Sequence, residues 1–127
     1  MTEYGQLSFN WLSKQDLGED KLMDKKIKKE WLRSLRSGEY DQNVETLVTK
    51  DAKLESGYAF CCLGVLTNIY HEQHGTEFTK CEQEYGMLSD KVQEWANLSD
   101  DKQEKLAFMN DDGMSFDEIA DYIQENL

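Results

Sequence analysis

The clearest periodicity in the chain is the recurrence of Met23, Ile27, Trp31 and Leu35 at every fourth position, joined by Leu32. Side chains three and four residues apart share one face of an α-helix. The spacing therefore predicts a helix over roughly residues 20–37. Its apolar stripe faces a core and its lysines face water. Gly38 follows the stripe, where a left-handed residue closes a helix. A second pattern, Phe60-Cys61-Cys62-Leu63-Gly64-Val65-Leu66-Thr67-Asn68-Ile69-Tyr70, is apolar nearly all round. Such a helix belongs inside a core, and Gly64 leaves room for another backbone to approach. His74-Gly75 closes it. The C-terminal third predicts three short helices, each opened by a serine. Ser89 precedes Val92 and Trp95, and Ser99 precedes Leu106 and Phe108. Ser115 precedes Phe116, Ile119, Ala120, Ile123 and Leu127. Ser115 and Glu118 have the spacing of a capping box. Between these elements, residues 39–58 are irregular apart from strand propensity at Thr46-Leu47-Val48-Thr49. Residues 76–87 read as loop, with a strand tendency near Glu77-Phe78-Thr79.

Together these elements predict a mainly α fold, with α+β as the alternative. It is a compact single domain of about five helices over residues 20–127, with a small β-hairpin between the first helix and the buried one. Residues 1–19 are expected to form an N-terminal arm or short helix. The absence of proline fits a helix-rich chain. The three cysteines include an adjacent pair, Cys61-Cys62, and an odd one, Cys81. That usage fits a reducing cytoplasm better than a secreted disulfide scaffold. Residues 1–5 lack the basic and apolar regions of a leader peptide, and no apolar run reaches the length of a membrane span. A cytoplasmic protein without a membrane partner is expected.

Charge changes the picture in one respect. The formal net charge is −12, yet residues 21–36 hold seven bases against two acids, a local +5. Residues 82–127 hold thirteen acids against three bases. A basic helix on an acidic body can meet an anion locally while the body repels a phosphate backbone. Direct binding of duplex DNA is therefore not expected.

The candidate chemistry centres on that helix and the turn after it. Lys29, Arg33 and Arg36 are suited to phosphate, arginine through bidentate contacts. Ser37, Tyr40 and Gln42 follow in the turn, where a hydroxyl, a stacking ring and an amide could converge on a ligand with Arg36. Asn110 completes the candidate set. The bland alternative is a solvated helix face balancing the acidic body. Other motifs weigh less. Cys61 or Cys62 at a helix start could be a nucleophile, but His71 and His74 lie roughly 15 Å away along the same helix, so buried structural thiols are expected. His71, His74 and Cys81 with one more cysteine match no usual zinc spacing. Asn110-Asp111-Asp112-Gly113 fails the EF-hand test, because Phe108 and Ile119 would occupy ligand positions. A tight turn is expected there. The last helix has the look of a first helix of a helix-turn-helix, but with the sequence ending at Leu127 no recognition helix is expected after it. No metal or cofactor is expected.

Three segments together resemble a family of short uncharacterised phage and prophage proteins. They are Trp31-Leu32-Arg33-Ser34-Leu35-Arg36-Ser37-Gly38-Glu39-Tyr40-Asp41-Gln42, Phe60-Cys61-Cys62-Leu63-Gly64-Val65-Leu66, and the run from Leu106 to Ile123 that contains Asn110-Asp111-Asp112-Gly113-Met114-Ser115-Phe116. The resemblance implies a phage setting and carries no catalytic residues. Two function classes are expected ahead of an enzyme, which comes third because the spacing gives no nucleophile–base pair. The first is a non-enzymatic, homo-oligomeric accessory protein that sequesters a nucleotide-like immune signal in counter-defence. The second is an acidic inhibitor that mimics DNA and blocks a host nuclease or defence protein.

Overall fold

The computed structural model describes residues 23–127. The arm expected at residues 1–19 lies outside the described residues. The chain forms α1 (Lys25–Arg36), β1 (Asp41–Gln42), β2 (Val48–Lys50), β3 (Tyr58–Phe60), α2 (Cys62–His74), α3 (Lys80–Glu84), α4 (Asp90–Ala96), α5 (Asp100–Asp111) and α6 (Phe116–Asn126). The fold is mainly α with a small three-stranded sheet, as the sequence pattern predicts. The strand order is β1-β3-β2, with β1 parallel and β2 antiparallel to β3. The expected hairpin is therefore β2–β3, and β1 adds a short outer strand.

Helix α2 runs through the core. Cys62, Leu63, Val65 and Leu66 have no exposed surface. Helix α1 lays Ile27, Trp31, Ser34 and Leu35 against α2 and α6, and α5 covers another side of α2 through Leu106. Burying a bulky apolar side chain of this kind contributes about 1.5–3 kcal/mol. The close backbone approach expected at Gly64 is made by Leu47, since a Cβ there would fall 1.7 Å from the Leu47 carbonyl oxygen. That carbonyl accepts the Cys61 N–H at 3.1 Å. A side chain at residue 64 would thus push the sheet off the helix.

Several boundaries differ from the pattern. Phe60 ends β3 and α2 begins at Cys62, and residues 77–79 form no strand but lead to the Thr79 cap of α3. Helix α1 starts at Lys25 rather than near residue 20, because the Asp24 carboxylate caps it, accepting the Ile27 N–H at 3.0 Å. The strand expected at residues 46–49 begins at Val48. Leu47 instead gives its N–H to the Tyr85 carbonyl and its own carbonyl to Cys61. The stretch expected as loop holds α3, opened by a capping box in which Thr79 accepts from Glu82 N–H and Glu82 accepts from Thr79 N–H. The three serine caps, Ser89, Ser99 and Ser115, stand where the sequence puts them. Gly113 takes a φ of 97° in the turn between α5 and α6, as a tight turn requires.

Both Cys61 and Cys62 are buried and Cys81 is exposed. Burial pushes the Cys61 thiol up to about 11, outweighing the hydrogen bonds from Gly64 and Leu63 that favour its thiolate. Burial raises Cys62 well above its ordinary value too. A helix start usually lowers a thiol pKa, but desolvation wins here. Labelling the native protein with a thiol reagent at mildly alkaline pH should modify Cys81 quickly and the adjacent pair only on unfolding. Rapid loss of all three thiols would contradict this packing.

Candidate functional site

The residues singled out around the end of α1 are placed by the fold in three separate surroundings. Lys29 is exposed. Arg33 pairs with Glu30 one turn back, and that hydrogen bond and charge raise its pKa further. Arg36 Nη2 donates to Asp121 Oδ1 and to Gln124 Oε1, each at 2.8 Å. Its guanidinium therefore lies along α6 instead of turning into the loop after Gly38. Ser37 Oγ donates to the Ser34 carbonyl and accepts the Glu39 N–H, closing the helix.

Gln42 and Asn110 do meet. Gln42 Nε2 donates to Asn110 Oδ1 at 3.0 Å and to the Met114 carbonyl at 2.7 Å. Asn110 has no exposed surface. Its Oδ1 also accepts the Cys62 N–H at 3.1 Å, and its Nδ2 donates to the Asn43 carbonyl at 2.7 Å. This amide ties α5, β1 and the start of α2 together, and its polar atoms are spent on protein groups.

Tyr40 leads elsewhere. Its hydroxyl accepts from Asn68 Nδ2 at 2.8 Å, and its ring stands edge-on to Phe60 with centroids 5.2 Å apart. Burial raises its pKa, with nearby Glu72 adding to the effect and the Asn68 hydrogen bond opposing it. Asn68 and Phe60 belong to a pocket of about 400 Å³ between the β2–β3 hairpin, the second half of α2 and the segment that leads into α3. Phe60 and Phe78 form an aromatic wall with centroids 6.2 Å apart, and Tyr58 and Lys50 come from the hairpin. The polar side carries Asn68, Glu72, Thr76, Glu77 and Gln83. None of the seven residues proposed from sequence lines this pocket; Tyr40 touches its lining at Asn68 and Phe60, and Gln42 pairs with Phe60 in the sheet.

His71 borders the same pocket at the end of α2 and is 7% exposed. Its Nε2 lies 2.8 Å from Glu82 Oε1 and its Nδ1 lies 2.7 Å from Thr76 Oγ1. Glu82 is 5% exposed. Burial alone would raise the Glu82 pKa. The Thr79 N–H at 2.8 Å, His71 and the Ser89 hydroxyl at 3.2 Å outweigh it, and the carboxyl is held below its ordinary value. The sequence offered one signal for this cluster, the Thr79-x-x-Glu82 capping spacing. Nothing in the linear pattern pairs Glu82 with His71. Among the described residues no group of histidine, cysteine and carboxylate side chains is arranged to hold a metal ion, and no helix is long and apolar enough to cross a membrane.

The chain belongs to the family described as a domain of unknown function, DUF8296, whose model matches residues 23–127. No curated protein and no solved structure matches it.

The depressed Glu82 carboxyl has a consequence in acid. Its folded pKa lies below the unfolded value of about 4.3. The stability it confers is complete above that value and is lost as pH falls through the folded pKa. Glu82→Gln removes this dependence. In urea titrations from about pH 6 to about pH 3, the wild type should lose more stability than Glu82→Gln. Parallel curves for the two would show that the carboxylate network contributes nothing to folding.

Proposed function

We propose that the protein binds and sequesters a nucleotide-like small molecule, and that the ligand sits in the hairpin pocket. The observation that carries this is the composition of the pocket. It is a cavity of about 400 Å³ lined by an aromatic wall, by amide and carboxylate groups, and by the Lys50 ammonium from the hairpin. That volume lies within the ~300–1,000 Å³ range of small-molecule sites. A base would stack on Phe60 and Phe78, an interaction of about 1–3 kcal/mol. The Asn68 carboxamide oxygen would accept from a base edge while its Nδ2 stays on Tyr40, Glu72 or Glu77 would accept from ribose hydroxyls, and Lys50 would meet a phosphate. The turn at Arg36 supports the reading less well, because its guanidinium and the Gln42 amide are already engaged by the protein. The likeness to short phage proteins supports a setting in an infected cell, where sequestration would serve counter-defence, and the acidic body keeps nucleic acid polymers away.

The runner-up is an acidic protein inhibitor. Its support is the exposure of Asp100, Asp101, Glu104, Asp111, Asp112, Asp117, Glu118, Asp121 and Glu125 on α5, α6 and the turn joining them.

Calorimetric titration with mononucleotides and cyclic dinucleotides separates the two. Phe60→Ala should weaken binding at least about tenfold, whereas Arg36→Ala should change it less than about threefold. The reverse order would return the site to the α1 turn. No binding by any nucleotide, together with salt-sensitive capture of a DNA-binding protein, would favour the acidic inhibitor.

A further inference from the structure

The pocket carries a group that ligand binding does not require. Glu82, His71 and Thr76 stand in a line from the core to the pocket rim. The carboxylate and the imidazole are 5% and 7% exposed, and the threonine is exposed. The hydrogen bonds fix the tautomer of the neutral ring. The Glu82 carboxylate can only accept, so Nε2 carries the proton and donates to it at 2.8 Å. Nδ1 then holds the lone pair and accepts the Thr76 hydroxyl proton at 2.7 Å. Thr76 is held on both sides of this contact, because its own N–H donates to the His71 carbonyl at 3.0 Å. Glu82 is oriented in turn by Thr79 and Ser89. An oriented acid, a base with its lone pair aimed at a hydroxyl, and that hydroxyl at a cavity rim are the parts of an activated nucleophile. Helix closure by itself would need only the backbone turn at Gly75.

We propose that Thr76 is a nucleophile for carboxylic esters bound in this pocket, with His71 as its general base and Glu82 as a positioning residue. The substrate class is an ester with an aromatic group on its alcohol side, which Phe60 and Phe78 would receive. Thr76 Oγ bonds to the carbonyl carbon as its proton passes to His71 Nδ1. The carbon–alkoxide bond then breaks, and the leaving alkoxide takes that proton. Water, deprotonated by His71, attacks the acyl-threonine, releases the acid and returns the hydroxyl. The sum is ester and water giving acid and alcohol. The remaining N–H of the Gln83 amide, which lines the pocket and spends one hydrogen on the Phe78 carbonyl, is the donor for the carbonyl oxygen as it gains charge. This step goes beyond sequestration and does not depend on the ligand being a nucleotide. A held ligand that contains such an ester would be cleaved.

The test uses p-nitrophenyl acetate and a fluorophosphonate probe on the full chain. The wild type should release p-nitrophenol above the buffer rate. Thr76→Val, at an exposed position, should lower that rate at least about 100-fold, while Thr76→Ser keeps it. Peptide mass mapping should place the fluorophosphonate on Thr76. An unchanged rate in Thr76→Val, release no faster than buffer in the wild type, or a probe attached elsewhere would each overturn the proposal. If Thr76→Val fails to fold, the mapping on the wild type decides. Nucleotide titration of the same samples reports separately on the binding function.

Discussion

The hydrogen bonds around Cys62 and Asn110 are the constraint on which the rest of the structure depends. Cys62 begins the central helix with no exposed surface, so its N–H cannot turn to water. Asn110 from α5 accepts it, Trp31 from α1 donates its indole N–H to the Cys62 carbonyl at 3.0 Å, and the thiol approaches the Leu106 carbonyl at 3.6 Å. One residue is thus held by two helices distant in sequence. A buried amide left without its partner costs about 1–3 kcal/mol, so these partners choose one arrangement among those the apolar surfaces alone would allow. The Asn110 amide also fixes β1 through Gln42 and Asn43. With β1 set, β3 pairs beside it in a defined register. The hairpin then stands over the far half of α2, and the space left there is the pocket.

The two ends of α2 serve different purposes. The N-terminal end is buried, and desolvation raises the pKa of its two thiols. The C-terminal end is where a buried imidazole, a carboxylate with a lowered pKa and an exposed hydroxyl meet aromatic walls. The charge asymmetry that dominates the sequence contributes less. Arg33 and Arg36 make ion pairs at the surface, where water and salt screen them.

Much of the fold was legible because its causes are local. The α1 stripe, the all-apolar α2 segment and the caps at Ser89, Ser99 and Ser115 each follow from residues within a few positions of one another. Gly64 announced a close approach but could not say that Leu47 makes it. The site was barely legible, because long-range pairing assembles it. The pocket exists only once Val48–Lys50 pairs with Tyr58–Phe60 and both meet α2. His71 and Glu82 come together across the turn at Gly75 and the start of α3. Asn110 was a ligand-contact candidate from the sequence. Its burial, which the linear pattern does not reveal, explains it as a bond between three elements.

The most direct measurement is the stability of Asn110→Ala by chemical denaturation, paired with hydrogen exchange at the Cys62 amide. If the Asn110 amide holds the start of α2, the substitution should cost at least about 3 kcal/mol, since it leaves the buried Cys62 N–H and the Asn43 carbonyl without this partner and opens a cavity in the core. Exchange at Cys62 should then be faster even where other core amides remain protected. A cost below about 1 kcal/mol, with Cys62 exchanging at its wild-type rate, would show that apolar packing alone fixes the arrangement.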